Sequence, residues 1–182
     1  TGMVIVATLF VMLFASNIKL SFFGYLIVLG ICGIVVLIIM APYRMARIIS
    51  FINPWTDPLG SGFQIIQSLY AISPSGLFGR GLGNSIQKHF YLPEPQTDFI
   101  FAIISEELGI LGIVILAILF LVLFSSSLKV SLVSKDLFGK YLIFGLSFLL
   151  MFQTLLNLSV VVGLVPITGV TLPFISYGGS SL

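Results

Sequence analysis

Apolar and polar positions alternate in long blocks along this chain, and the blocks set its organisation. A membrane-spanning helix needs about 20 predominantly apolar residues, and residues 22–41 and 99–124 meet that length, the first with no charge at all. A run over residues 2–15 is shorter, as expected if its beginning is missing, and another covers 141–165. Pro42 and Pro166 close the second and last runs, because proline lacks the amide that would continue a helix. The pattern predicts an all-α fold, a polytopic transmembrane helix bundle, of which this fragment holds about four membrane helices and a long extracellular loop.

The connections carry the topology. A short turn with Lys19 joins the first two runs, a polar stretch with Lys129, Lys135 and Lys140 joins the last two, and 42–98 form one long loop between the middle pair. The positive-inside bias counts short loops and discounts long ones, so the short connections are assigned to the cytoplasm and 42–98 to the outside. Arg44, Arg47, Arg80 and Lys88 in that loop equal the four lysines opposite, which makes the bias slight. Within the loop, Phe63, Ile66 and Leu69 at helical spacing predict a short helix over 62–72 lying on the membrane surface. Glycines follow at Gly76, Gly79, Gly81 and Gly83, and then Pro93-Glu94-Pro95, a stiff and extended stretch.

Composition excludes several function classes. Hydrophobic residues make up 58% and charged residues 8%, with a mean hydropathy of +1.21, a balance foreign to water-soluble domains. The net charge of +2 is spread along the chain, so no basic stripe tracks a nucleic acid. Cys32 and His89 are single, which excludes a disulfide framework and a Cys/His metal site. No cofactor is identified, and a divalent cation requirement stays open. The chain has no leader pattern and is read as cut at both ends.

The candidate chemistry sits around the third run. Asp98 follows the stiff proline stretch where that run enters the membrane. It can serve as an N-cap, accepting free amides of the first turn, or as a general base at the water–lipid boundary. Glu106 and Glu107 lie roughly 12 Å further along the axis, a depth at which a carboxylate faces the bundle interior or a wet cavity. At 100° per residue Glu106 falls about 80° and Glu107 about 180° around the helix from Asp98, so Glu106 alone can share its cavity. Pairing with another helix as structural glue is the alternative for both. Arg44 and Arg47, at i and i+3, are either snorkelling anchors or a bidentate fork for a lipid-borne diphosphate, to which Lys88 and Arg80 could add. Gln153 and Asn157, at i and i+4, are expected to bond a neighbouring helix. Gly79-Arg80-Gly81-Leu82-Gly83 lacks the Lys-Ser/Thr and strand context of a nucleotide loop.

Several motifs in fixed order carry a family resemblance. They are Pro42-Tyr43-Arg44 with Arg47, Asn53-Pro54-Trp55, Gly81-Leu82-Gly83-Asn84-Ser85 with Gln87-Lys88, Tyr91-Leu92-Pro93-Glu94, Thr97-Asp98-Phe99, Glu106-Glu107-Leu108-Gly109 and Leu172-Pro173-Phe174-Ile175-Ser176-Tyr177-Gly178-Gly179. The sequence resembles the SEDS family of cell-wall polymerases, which includes FtsW, RodA and SpoVE, and is nearest to its FtsW and SpoVE branches. The resemblance implies that residues 1–182 are the C-terminal part of one polytopic membrane domain. It also implies a multi-pass protein of the bacterial plasma membrane that polymerises lipid II, a disaccharide-peptide on an undecaprenyl diphosphate, during division or sporulation. A lipid II flippase and a non-catalytic scaffold for a transpeptidase are the alternatives. Carried over by motif, Asp98 is the catalytic base, and Arg44, Arg47, Lys88, Glu94 and Glu106 bind substrate. A class B penicillin-binding protein is the implied partner, since Ser85-Ile86-Gln87-Lys88 meets the bare Ser-x-x-Lys spacing without the accompanying motifs. Where many FtsW proteins carry lysine in a Pro-Thr-Lys-Gly turn, this chain has Pro166-Ile167-Thr168-Gly169, so the lysine's role cannot pass to Thr168.

Overall fold

The structure, a computed structural model, describes residues 2–16, 20–39, 42–60, 62–90 and 96–177. Among them the helices run in the order α1 (Gly2–Ala15), α2 (Leu20–Ile39), α3 (Pro42–Ile52), α4 (Phe63–Ile72), α5 (Ile86–Phe90), α6 (Ile100–Val133) and α7 (Leu137–Val161), with a 3-10 turn at Pro54–Thr56. No strand occurs among the described residues, in keeping with the all-α bundle expected from the hydropathy blocks. By length and composition α6 and α7 can each cross a membrane, while α1 is a shorter apolar stretch. Leu119, Leu121 and Val122 on α6 and Leu146 on α7 remain exposed. A continuous apolar surface of that kind is stable against lipid and not against water.

Small residues and aromatic edges hold the helices together. α7 packs against both α6 and α1, and Gly145 opens the way for Met12, whose thioether occupies the space a methyl would need. Phe23 of α2 is buried between Phe10 and Phe14 of α1, with edge-on ring centroids at 4.9 and 5.7 Å. Pro42, expected as a stop, also starts α3, because a residue without an amide fits the first turn of a helix. α7 begins earlier than its apolar run, at Leu137, where the Gly139 amide donates to Asp136 Oδ2 at 2.8 Å.

The unbroken third run is in fact two helices. Gly109 has φ 67° and ψ −159° and separates residues 100–108 from 110–133. The second piece is roughly 36 Å long at 1.5 Å per residue, enough to cross the hydrocarbon unaided. Backbone groups freed by the break are satisfied by the glycine loop that precedes α5. The amides of Arg80 and Gly81 donate to the carbonyls of Glu106 and Glu107, both at 2.9 Å. Those of Ile110 and Leu111 donate to the carbonyls of Gly76 and Leu77, at 3.0 and 3.2 Å. Gly79 and Gly109 sit back to back, each with positive φ, and a methyl on either would strike the other's backbone or its neighbour's. Glu106 and Glu107, expected two turns inside a membrane helix, therefore lie before the break on the piece enclosed by protein. Hydropathy alone cannot reveal this, because Gly109 stands in apolar sequence and its partners lie in a distant loop.

α4 is helical over the predicted stretch and packs one face against α6 and α7, while Leu69 and Tyr70 stay exposed. Ile65, Ile66, Ser68 and Ala71 are buried against α6 and α7, and the Ser68 hydroxyl lies 3.1 Å from the Val161 carbonyl. The core gathers where α4, the start of α6 and the end of α7 meet: Ala71, Phe99, Phe101, Ala102, Ile103, Val161 and Leu172. Beside it Val4, Leu156 and Val170 form a second cluster. Leu172 and Val170 belong to the non-helical strap, residues 166–177, which follows α7 and is pinned by both clusters.

Candidate functional site

The strap lies against the turn that leads into α6, and side chains of α7 satisfy its backbone. Asn157 donates through Nδ2 to the carbonyls of Asp98 and Val170, both at 2.7 Å. Gln153 Nε2 donates to the Thr171 carbonyl at 3.0 Å. The Ser176 hydroxyl donates to the Thr97 carbonyl at 2.7 Å and accepts the Leu172 amide at 2.8 Å. The Tyr177 amide donates to the Gln96 carbonyl at 2.8 Å. Within this clamp Phe174 holds φ 65°, a left-handed conformation that costs a non-glycine residue about 1–2 kcal/mol. Gln153 and Asn157 thus serve the strap and the Asp98 turn instead of a neighbouring helix. Pro166 and Pro173, one opening the irregular stretch and one within it, are the sequence signal for this, since exposed backbone at membrane depth must find donors.

Asp98 is half-buried, and its side chain faces the strap at Gly169, where an added methyl would stand 3.5 Å from Oδ2. The N-cap position of α6 belongs to Phe99, one residue later. Thr168, next to Gly169, has a buried hydroxyl with no hydrogen-bond partner among the described residues. From α3, the exposed Arg47 reaches the same strap and donates through Nη1 to the Ile167 carbonyl at 3.0 Å. Arg47 and Asp98, from parts of the chain far apart in sequence, therefore approach the strap at Ile167 and Gly169, on either side of Thr168. Arg44 is placed on α3 by its backbone, one turn before Arg47, and its side chain lies outside the described residues, as does the whole of Glu94.

Glu106 faces elsewhere. Its carboxylate is 1% exposed and accepts the Ser85 hydroxyl at 2.6 Å and the amides of Ile86 and Gln87 at 3.1 and 3.3 Å. Arg80 Nη1 adds an ion pair at 3.8 Å. The Lys88 amide in turn donates to Ser85 Oγ at 3.0 Å, so Glu106 fixes the loop that carries Lys88. Lys88 itself lines a cavity of about 340 Å³ together with Gln96, Ile100, Glu107 and Tyr177. Among the described residues no group of three or more His, Cys, Asp or Glu side chains is arranged to hold a metal ion.

The family model described as "Cell cycle protein", which spans FtsW, RodA and SpoVE, matches residues 1–182. The chain is similar to "Stage V sporulation protein E" of Bacillus subtilis (strain 168), 54% identical over 182 residues, which cover 100% of this chain and 50% of that protein. It is also similar to "Probable peptidoglycan glycosyltransferase FtsW" of Geobacter sp. (strain M18), 45% identical over 181 residues, or 100% of this chain and 49% of that one. A solved structure described as "Structural coordination of polymerization and crosslinking by a peptidoglycan synthase complex" matches with a TM-score of 0.73 at 31% identity, covering 99% of this chain and 50% of its own. The chain spans about half the length of the curated relatives it matches.

Proposed function

The chain belongs to the FtsW, RodA and SpoVE family of cell cycle proteins, which are membrane proteins, and from that premise we propose that the whole protein polymerises lipid II into glycan strands. The observation that carries this reading is the meeting of Asp98 and Arg47 on one strap. In the reaction the acceptor 4-hydroxyl attacks the anomeric carbon of the donor sugar. As the new C–O bond forms, Asp98 takes the hydroxyl proton. The bond from the anomeric carbon to the diphosphate breaks, and its electron pair leaves with undecaprenyl diphosphate. Arg47, with Arg44 one turn away, stabilises that departing charge, so no second carboxylate is needed as an acid. Glu106 contributes through the loop it fixes, by placing Lys88, and Glu94 belongs to the approach ahead of Asp98.

The chain is the C-terminal part of one multi-pass membrane domain, with residues 42–98 facing outward so that the sugars meet the loop while the lipid tail lies along the apolar helices. The similar solved structure is described as coordinating polymerization with crosslinking, which supports a class B penicillin-binding protein as partner. The flippase alternative draws its motive from carboxylates buried within a membrane helix, and Glu106 and Glu107 lie ahead of the break at Gly109. The test is to supply purified full-length protein and its partner with lipid II and no energy source. Glycan chains are expected. Translocation without polymer assigns a flippase, and neither product assigns a scaffold.

A further inference from the structure

Two neighbouring glutamates of the same helix live in opposite circumstances. Glu106 has every acceptor engaged by the loop, whereas Glu107, 9% exposed, has its Oε1 buried with no hydrogen-bond partner. A buried carboxylate oxygen without a donor is costly, and native structures keep one where something else supplies the donor. Glu107 lines the 340 Å³ cavity, as does Lys88. Among the described residues the ion pair is Arg80 with Glu106, so Lys88 and Glu107 face one space without neutralising each other. Gln96 and Tyr177 add amide and phenol groups, and Ile103 and Leu108 give an apolar wall. Gln96 and Ile100, which both line the cavity, stand two residues to either side of Asp98 in the chain, although Asp98 itself is not part of the lining and the helical spacing sets Glu106, not Glu107, on its side.

We propose that this cavity is a peptide subsite, taking the ammonium of a short zwitterionic peptide on Glu107 and its carboxylate on Lys88. Among the described residues an oxygen lacks a donor and an ammonium on the same space lacks an ion-pair partner, and with the apolar wall they match a peptide with one charge of each sign. The inference rests on the reading that the substrate is a disaccharide bearing a peptide: the sugar would lie at Asp98 and the peptide would run past Gln96 into the cavity. It adds to the polymerase a site that reads the peptide branch.

Binding tests this without catalysis. A synthetic pentapeptide with an acetylated N-terminus, one lysine side chain as its only ammonium and a free C-terminal carboxylate as its only carboxylate is titrated into the full-length protein in phosphatidylcholine nanodiscs. Wild type should bind it, and Glu107→Gln should weaken binding at least tenfold. Acetylating the peptide lysine should cost wild type the same factor and cost Glu107→Gln almost nothing. C-terminal amidation should behave likewise against Lys88→Met, a change at an exposed residue that leaves the buried carboxylate in place. No binding by wild type, or losses that multiply independently, would overturn the proposal. So would loss of peptide binding when the nanodiscs contain phosphatidylethanolamine, which would assign the cavity to a lipid headgroup. Coupled losses in a protein that makes no polymer would leave the peptide subsite standing and remove the polymerase reading.

Discussion

Glu106 accepts three hydrogen bonds, from Ser85 and the first two residues of α5, and each buried donor left unsatisfied costs about 1–3 kcal/mol. Glu106→Ala should therefore destabilise the full-length protein by at least about 3 kcal/mol in thermal unfolding, with much less loss for Glu106→Gln. Arg80 is partly exposed and adds little. A raised KM for lipid II at unchanged stability would instead put Glu106 in direct contact with substrate. Arg47 is a different case: its guanidinium both bonds the strap and remains exposed. Lysine in place of Arg44 and Arg47 keeps the charge and loses the bidentate fork, so the double variant should lose at least tenfold in kcat/KM. Unchanged turnover and affinity would return both residues to an anchoring role. Asp98 and Arg47 could be picked out from motif and charge. That they meet on Ile167–Gly169 could not, because the strap's path is set by Asn157 and Ser176 hydrogen bonds to distant carbonyls.

At the scale of elements, the apolar runs identified the long helices, since a 20-residue uncharged run has few other fates. Their ends moved where local chemistry outweighs hydropathy, as at Asp136, which caps α7 ahead of its apolar run. The break in α6 escaped sequence reading because it depends on two glycines in contact across the fold. Gly109 occupies backbone space restricted to glycine and lies against Gly79. Gly109→Ala and Gly79→Ala should each reduce stability by at least about 3 kcal/mol, combining dihedral strain of about 1–3 kcal/mol with a backbone clash. Gly76, with positive φ but open space around it, is the control. Gly76→Ala should cost only about 1–2 kcal/mol. Equal losses at Gly76 and Gly109, read by thermal unfolding in detergent, would show that strain alone matters and that the loop does not support the break.

For the whole molecule, polymerisation and crosslinking call for different side chains, and Ser85 is the residue that bears on the second. Ser85 meets a bare Ser-x-x-Lys spacing, yet it is buried, donates its proton to Glu106 and accepts the Lys88 amide. A hydroxyl held in that way is an anchor for the loop and not a free nucleophile. Fluorescent penicillin should therefore leave the isolated full-length protein unlabelled and label the partner in the complex. Labelling that Ser85→Ala abolishes would reverse this division of labour. The most direct measurement on the central claim is lipid II polymerisation by full-length Asp98→Asn in complex with its partner. The substitution keeps the size of the side chain and leaves the Asn157 bond to the Asp98 carbonyl in place, so folding and complex formation should survive while glycan synthesis falls by at least a hundredfold, in line with loss of a general base. Polymerisation at near the wild-type rate would contradict the account.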